Sequence, residues 1–174
     1  MKNAIVLTDG LLMTSDAKTA HGLIRGTERF NIIGLVDGEA NAGKDAGVLL
    51  DGKHRDIPVF ATMEIAIEQL EKVDYLIIGV ATVGGILPKN MLSLIYDAVK
   101  KGISVVNGLH EYLNDKADLV AIAANTGAQL IDVRKPKSRA DLHFWDGAIF
   151  NVTAPIVAVI GMDCAMGKRT TARM

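Results

Sequence analysis

A chain of 174 residues and 18.6 kDa has the size of one domain of roughly 100 to 200 residues and is too short for two complete α/β domains. Hydrophobic residues make up 49% and charged residues 22%, ordinary globular proportions that support a buried core and exclude disorder as the main state. Lys plus Arg number 19 against 20 for Asp plus Glu, a formal net charge of -1, so no global field draws the chain to nucleic acid or to an anionic membrane.

The N-terminus carries one lysine and then a short apolar run that meets Asp9, less than the apolar core of roughly 7 to 15 residues in a signal peptide. Residues 5–7 read as the first strand. The turn that follows, Leu7-Thr8-Asp9-Gly10, lacks the G-x-G-x-x-G fingerprint, and Asp9 would repel a pyrophosphate placed there, so standard dinucleotide binding is not expected. A helix is predicted over 18–29 and a strand over 32–36, ending at Asp37. That acid stands where a ribose-binding carboxylate lies in a dinucleotide fold, but without the glycines it reads as a strand-end polar residue. Residues 41–56 have several glycines and charges with little periodicity and read as a surface loop.

Strands are then predicted at 58–60, 75–80, 104–106 and 129–133, with helices at 62–71, 88–101 and 111–125. The strand runs are continuously apolar for the most part, as expected when helices cover both faces of a sheet. The helix over 88–101 is the clearest, with Pro88 at its start, Met91, Leu92, Leu94, Ile95 and Val99 at helical spacing, and Gly102 just past its end. Strand and helix alternating with right-handed crossovers predict an α/β fold, a Rossmann-like doubly wound parallel sheet over residues 1–150. The uncharged stretch 75–88 is glycine-rich and shorter than the ~18 to 20 apolar residues that cross a bilayer.

Ligands of such sheets lie outside the carboxyl ends of the strands, which singles out three segments. Gly84 and Gly85 follow the fourth strand and let a ligand approach the backbone. Asn107-Gly108-Leu109-His110 follows the fifth and raises His110 above His21, His54 and His143 as a site residue. Arg134 opens a run of cations after the sixth and could clamp a carboxylate or phosphate bidentately. The alternatives are a packing turn, a structural histidine and a solvated linker.

From residue 151 the pattern restarts. Residues 154–160 read as a buried strand that runs into a glycine loop, Gly161 to Thr171, and only three residues remain. The expectation is the first strand and phosphate-binding loop of a P-loop domain over 151–174, in a fragment of a longer protein. A P-loop needs converging backbone N–H groups, a helix start, a lysine for the phosphates and a hydroxyl for magnesium. Gly161, Gly167, Lys168, Arg169, Thr170 and Thr171 supply these, with Thr170 the candidate magnesium ligand. Five residues rather than four separate the two glycines, and Arg169 stands where Ser or Thr usually follows the lysine. Extra-residue loops of this kind resemble those of dethiobiotin synthetase and related nucleotide-binding enzymes. The single cysteine, Cys164, lies inside the loop. It excludes an intrachain disulfide and points to a reducing compartment, with cytoplasm the expected location; as a side chain it reads as a small loop residue rather than a nucleophile.

Lys18-Thr19-Ala20-His21-Gly22-Leu23, residues 77–85, Asn107-Gly108-Leu109-His110, Arg134-Lys135-Pro136 and residues 161–171 together resemble a two-domain family, long without an assigned function, that pairs an N-terminal Rossmann-like domain with a C-terminal P-loop domain. Its most specific piece is a GxDCxxGKRTTA-like loop, matched from Gly161 to Ala172 with Met162 where the family commonly has Thr. Some members are D-glutamate N-acetyltransferases. The resemblance implies acetyl transfer from acetyl-CoA to a D-amino acid such as D-glutamate, with the CoA pyrophosphate on the P-loop, the substrate carboxylate on Arg134 and His110 as general base. Two other classes remain open: a P-loop ATPase or kinase using ATP and Mg2+, and a nucleotide-sensing or oligomerisation module without chemistry. The expected partners are a small-molecule substrate and a second copy of the chain in a homo-oligomer, with no nucleic acid and no membrane.

Overall fold

Six short β-branched runs form one sheet because each has a parallel neighbour to complete its hydrogen bonds. A computed structural model describes residues 1–162 and 167–172. Its strands are β1 (Lys2–Leu7), β2 (Phe30–Val36), β3 (Val59–Phe60), β4 (Tyr75–Ile78), β5 (Ser104–Asn107) and β6 (Leu130–Asp132). All five pairings are parallel, in the order β3-β2-β1-β4-β5-β6. This is the doubly wound arrangement expected from the alternation, and the order reverses between β1 and β4.

Alternate side chains of each strand serve opposite faces. Ile5, Leu7, Val36 and Phe60 join one core with Met63, Met91 and Leu119, which come from the helices α3 (Met63–Gln69), α4 (Lys89–Lys100) and α5 (Ala117–Thr126). Val6, Leu35 and Val59 join the other with Ala20, Ile24 and Ala46, from α1 (Lys18–Arg25) and α2 (Ala46–Asp51). Both cores lie within Met1–Pro136, the first of two compact units; the second is Lys137–Met174. The boundary near residue 150 read from the sequence falls inside the second unit.

Four readings of the sequence need correction. The segment 41–56 is not a plain loop, since it contains α2. Asp45 caps that helix by accepting from the Val48 N–H at 2.9 Å and also accepts from the backbone N–H groups of Arg55 and Ile57, an order that hydrophobic periodicity does not register. The helix expected over 18–29 stops at Arg25, with Gly26 as its C-cap at φ 143°. The helix expected from 111 begins at Ala117, after a 3-10 turn at Leu113–Asp115. Finally, residues 154–160 are not a strand. Among the described residues no strand pairs with them, and Ile156, Val157 and Ile160 are exposed; an apolar run without a ladder partner or a face to cover has nothing to hold it extended as a strand.

Among the described residues no helix is long and apolar enough to cross a membrane.

Candidate functional site

Because every strand is parallel, the loops leaving β4, β5 and β6 emerge at one end of the sheet. There they line an open cleft of about 490 Å³, formed by Ala81, Thr82, Gly84, Gly85, Gly108, Leu109, His110 and Arg134. Gly84, Gly85, His110 and Arg134, separately singled out in the sequence, meet in this one place.

The cleft is built from its backbone outward. After β4 the chain turns through Gly84 and Gly85, at φ 72° and 66°, conformations that L side chains rarely adopt. The Gly85 carbonyl accepts from the N–H groups of His110 at 2.9 Å and Glu111 at 3.2 Å. A Cβ at Gly85 would sit 2.5 Å from His110 Cδ2 and 2.9 Å from its Cβ. Glycine is therefore required both by the backbone and by the imidazole lying against it.

After β5, buried Asn107 organises the turn that presents His110. Its side-chain oxygen accepts from the Leu109 N–H at 2.9 Å, while its amide donates to the Glu111 carbonyl and to Asp132 Oδ1, each at 2.8 Å. Asp132, at the end of β6, also accepts from the Leu113 and Asn114 N–H groups and from the Asn114 side chain. Burial raises the Asp132 carboxyl, but these donors from Asn114, Asn107 and Leu113 outweigh it and hold the group below the ordinary carboxylate range. Glu111 fastens the other wall: it accepts from Lys116 at 2.6 Å and from the Leu87 N–H at 3.0 Å, and these bonds, the Lys116 one first, hold its carboxyl below the ordinary carboxylate range.

Arg134 Nη1 lies 3.2 Å from His110 Nε2. A guanidinium has no acceptor, so Nε2 must accept, and the proton of the neutral ring resides on Nδ1. The backbone on either side of Arg134 is tied down, with the Val133 N–H donating to the Asn107 carbonyl and the Lys135 N–H to the Asp132 carbonyl. Among the described residues no carboxylate pairs with Arg134, whereas its neighbour Lys135 is paired with Asp115 at 2.7 Å. Of the run of cations, Arg134 lines the cleft and Lys135 is engaged elsewhere.

Several other acids and histidines of the first unit have structural partners. Asp37 is buried and accepts from Thr8 Oγ1 at 2.6 Å, from the Gly10 and Leu12 N–H groups and from Asn41 Nδ2, which makes it the brace of the loop after β1. Asp9, with φ 51°, accepts from the side chain of Asn90 at the start of α4; burial and then the Asp37 carboxylate push its pKa up, against the donation from Asn90. His21 Nε2 bonds the Leu12 carbonyl at 2.7 Å. His54 lies near Asp45 and Asp56 on the surface.

The residues expected from the sequence to form a phosphate loop belong to the second unit. Gly161 is exposed and would place a Cβ 3.1 Å from Lys168 Cδ, so the lysine stem lies along it. Gly167, at φ 83°, precedes the single-turn helix α6 (Lys168–Thr171), which carries Arg169 and Thr170. Thr171 Oγ1 donates to the Gly167 carbonyl at 3.2 Å. Cys164 lies outside the described residues. Among the described residues no group of three or more His, Cys, Asp or Glu side chains could hold a metal ion.

Sequence reading of the residues alone did not identify Asn107, Glu111 and Asp132 as the supports of His110. The Asn-Gly pair at a strand end was the available signal for Asn107, but partners 25 positions apart, as in Asn107–Asp132, come together only through the β5–β6 pairing.

The model of a family described as a domain of unknown function, DUF1611_N, a Rossmann-like domain, matches residues 39–136, a span that contains the whole cleft. Among curated proteins, a D-glutamate N-acetyltransferase from Pseudoalteromonas is 30% identical over 95 residues, which is 55% of this chain and 27% of the relative. One from Tritonibacter scottomollicae is 35% identical over 97 residues, 56% of this chain and 28% of the relative. The crystal structure of a DUF1611 family protein from Anabaena variabilis superposes with a TM-score of 0.84 at 30% identity, covering 99% of this chain and 48% of that one. The chain thus spans about a quarter of the curated relatives and about half of the solved neighbour. With the family match extending over more than half of its residues and the doubly wound sheet that the description names, the chain belongs to the DUF1611 family through its Rossmann-like domain.

Proposed function

We propose that this chain forms part of an N-acetyltransferase that moves an acetyl group from acetyl-CoA to the amine of a D-amino acid such as D-glutamate. The observation that carries the reading is the meeting of His110 and Arg134 across a cleft at the strand ends, in the region matched to the family; the names of the two curated relatives supply the substrate class.

In this reading Arg134 holds a substrate carboxylate through its planar fork of donors. Gly84 and Gly85 let the substrate approach the backbone, and His110 Nε2 is the base. Acetyl-CoA supplies the activated acetyl thioester. One proton of the substrate ammonium passes to His110 Nε2 and on to solvent, the freed nitrogen lone pair forms the C–N bond at the thioester carbonyl, and the C–S bond breaks. A second amine proton ends on the thiol, which balances the exchange. The donor set Gly161, Gly167, Lys168, Arg169, Thr170 and Thr171 suits a pyrophosphate, whether of CoA or of ATP, and a P-loop domain is the setting we assign to it. Thr170 is the hydroxyl we assign to Mg2+ where the ligand is ATP, since the Thr171 hydroxyl is engaged within α6.

The test is steady-state kinetics of the full-length protein with acetyl-CoA and D-glutamate, beside calorimetric titration of CoA and ATP. His110→Ala should lower kcat by about 10² to 10⁴ with little change in ligand affinity. Lys168→Ala should weaken the phosphate ligand about tenfold to a hundredfold, the loss of a charge-assisted contact worth roughly 1.5 to 3 kcal/mol. Normal turnover by the first variant makes His110 a structural histidine, and normal binding by the second removes the phosphate assignment.

A further inference from the structure

The contact between Arg134 and His110 has a chemical cost for the base. The Nε2 lone pair that would take the substrate proton is the one that accepts from Arg134 Nη1 at 3.2 Å, and a guanidinium cannot give that proton up. While the contact stands, Nε2 has no lone pair free for an ammonium. The ring cannot readily turn away, since its backbone N–H is bound to the Gly85 carbonyl and its Cδ2 edge lies against Gly85. The flexible partner is Arg134, whose side chain is exposed while its backbone is fixed. Among the described residues it has no carboxylate partner, so an arriving carboxylate meets an arginine with its strongest demand unmet.

We propose that Arg134 masks His110 until an anion binds, so that the substrate carboxylate unmasks the base as well as anchoring the substrate. The inference rests on the acetyltransfer reading for the role of the base, but the switch itself can be observed without turnover. It assigns a substrate class: the acceptor amine must carry a carboxylate that reaches Arg134, and an amine without one leaves Nε2 covered. The carboxylate is then a requirement of the chemical step and not only of affinity, an interaction spent on assembling the reactive site.

The experiment is nitrogen NMR of the full chain labelled with ¹⁵N-histidine, at constant pH and ionic strength, titrated with glutarate, a dicarboxylate without an amine. The His110 ring signals are assigned by their loss in His110→Gln, and the other histidines, His21, His54 and His143, are internal references. In the free chain the neutral His110 ring should show a protonated Nδ1 and an accepting Nε2. Glutarate should shift the His110 nitrogens saturably and leave the references in place. Arg134→Ala should abolish the glutarate response and move the free ring toward the Nε2–H tautomer. The proposal is overturned if saturating glutarate leaves the His110 signals unchanged, or if Arg134→Ala responds as the parent does. A full-length protein that shows the switch but transfers no acetyl group to D-glutamate would refute the acetyltransferase reading alone.

Discussion

At the scale of single residues, Gly85 and Asp132 carry the arrangement around His110. Gly85 is held at φ 66° with the imidazole 2.5 Å from where a Cβ would stand. Gly85→Ala should therefore lose about 1 to 3 kcal/mol from the left-handed backbone and displace His110 as well, so urea denaturation should show a lower midpoint and kinetics a lower kcat. Asp132 is held below the ordinary carboxylate range in spite of its burial by donors from Asn114, Asn107 and Leu113. A group whose folded pKa is depressed contributes stability that is fully present above its unfolded value of about 4 and is lost as pH falls through the folded value. Unfolding free energy measured from pH 6 down to pH 3 should fall, and Asp132→Asn, which cannot titrate, should flatten that fall. An unchanged slope in the variant would mean that the charge of Asp132 is not part of the support.

At the scale of elements, the positions that decide packing were visible in the sequence only as residue types. Gly79 follows β4 where α1 crosses, and a Cβ there would lie 2.5 Å from Val6 Cγ1, 3.0 Å from Ala20 Cβ and 3.1 Å from the Leu7 carbonyl oxygen. The Ala20 N–H donates to the Gly79 carbonyl at 2.8 Å, so the helix start is fastened directly to the strand end. Gly79→Ala should force α1 outward and cost roughly 1 to 3 kcal/mol by overpacking, read as a drop in Tm. Asp45 plays the corresponding role for α2, accepting three backbone N–H groups. Removing that cap and leaving two further donors without their carboxylate in Asp45→Ala should cost about 2 kcal/mol, with exchange of the Val48, Arg55 and Ile57 amides accelerated in hydrogen-exchange measurements. The helix over 88–101 was legible because Pro88, five apolar positions and Gly102 all agree; α2 was not, because its six residues are too few to show a period.

At the scale of the whole molecule, both hydrophobic cores lie within Met1–Pro136. A chain ending at Pro136 should accordingly unfold cooperatively and keep the His110 nitrogen signals of the parent; a broad, non-cooperative transition would show that residues 137–174 contribute to that core. All six strands, their parallel pairing class and four of the five helices between them, α2 excepted, were determined by the sequence alone, since short apolar β-branched runs separated by helical periods bury both faces of a sheet in one way. The same reasoning failed for residues 154–160, whose composition is that of a buried strand but which lack a paired neighbour among the described residues; strand formation is a property of the pair and not of the run. The sequence also determined which residue types stand at the strand ends, and so proposed Gly84, Gly85, His110 and Arg134 singly. Their meeting in one cleft, the direction of the Arg134–His110 contact and the support of His110 by Asn107, Glu111 and Asp132 were decided only by the tertiary structure, because strand order and register bring together residues that the chain separates by about 25 positions, and no local pattern encodes a distance across a sheet.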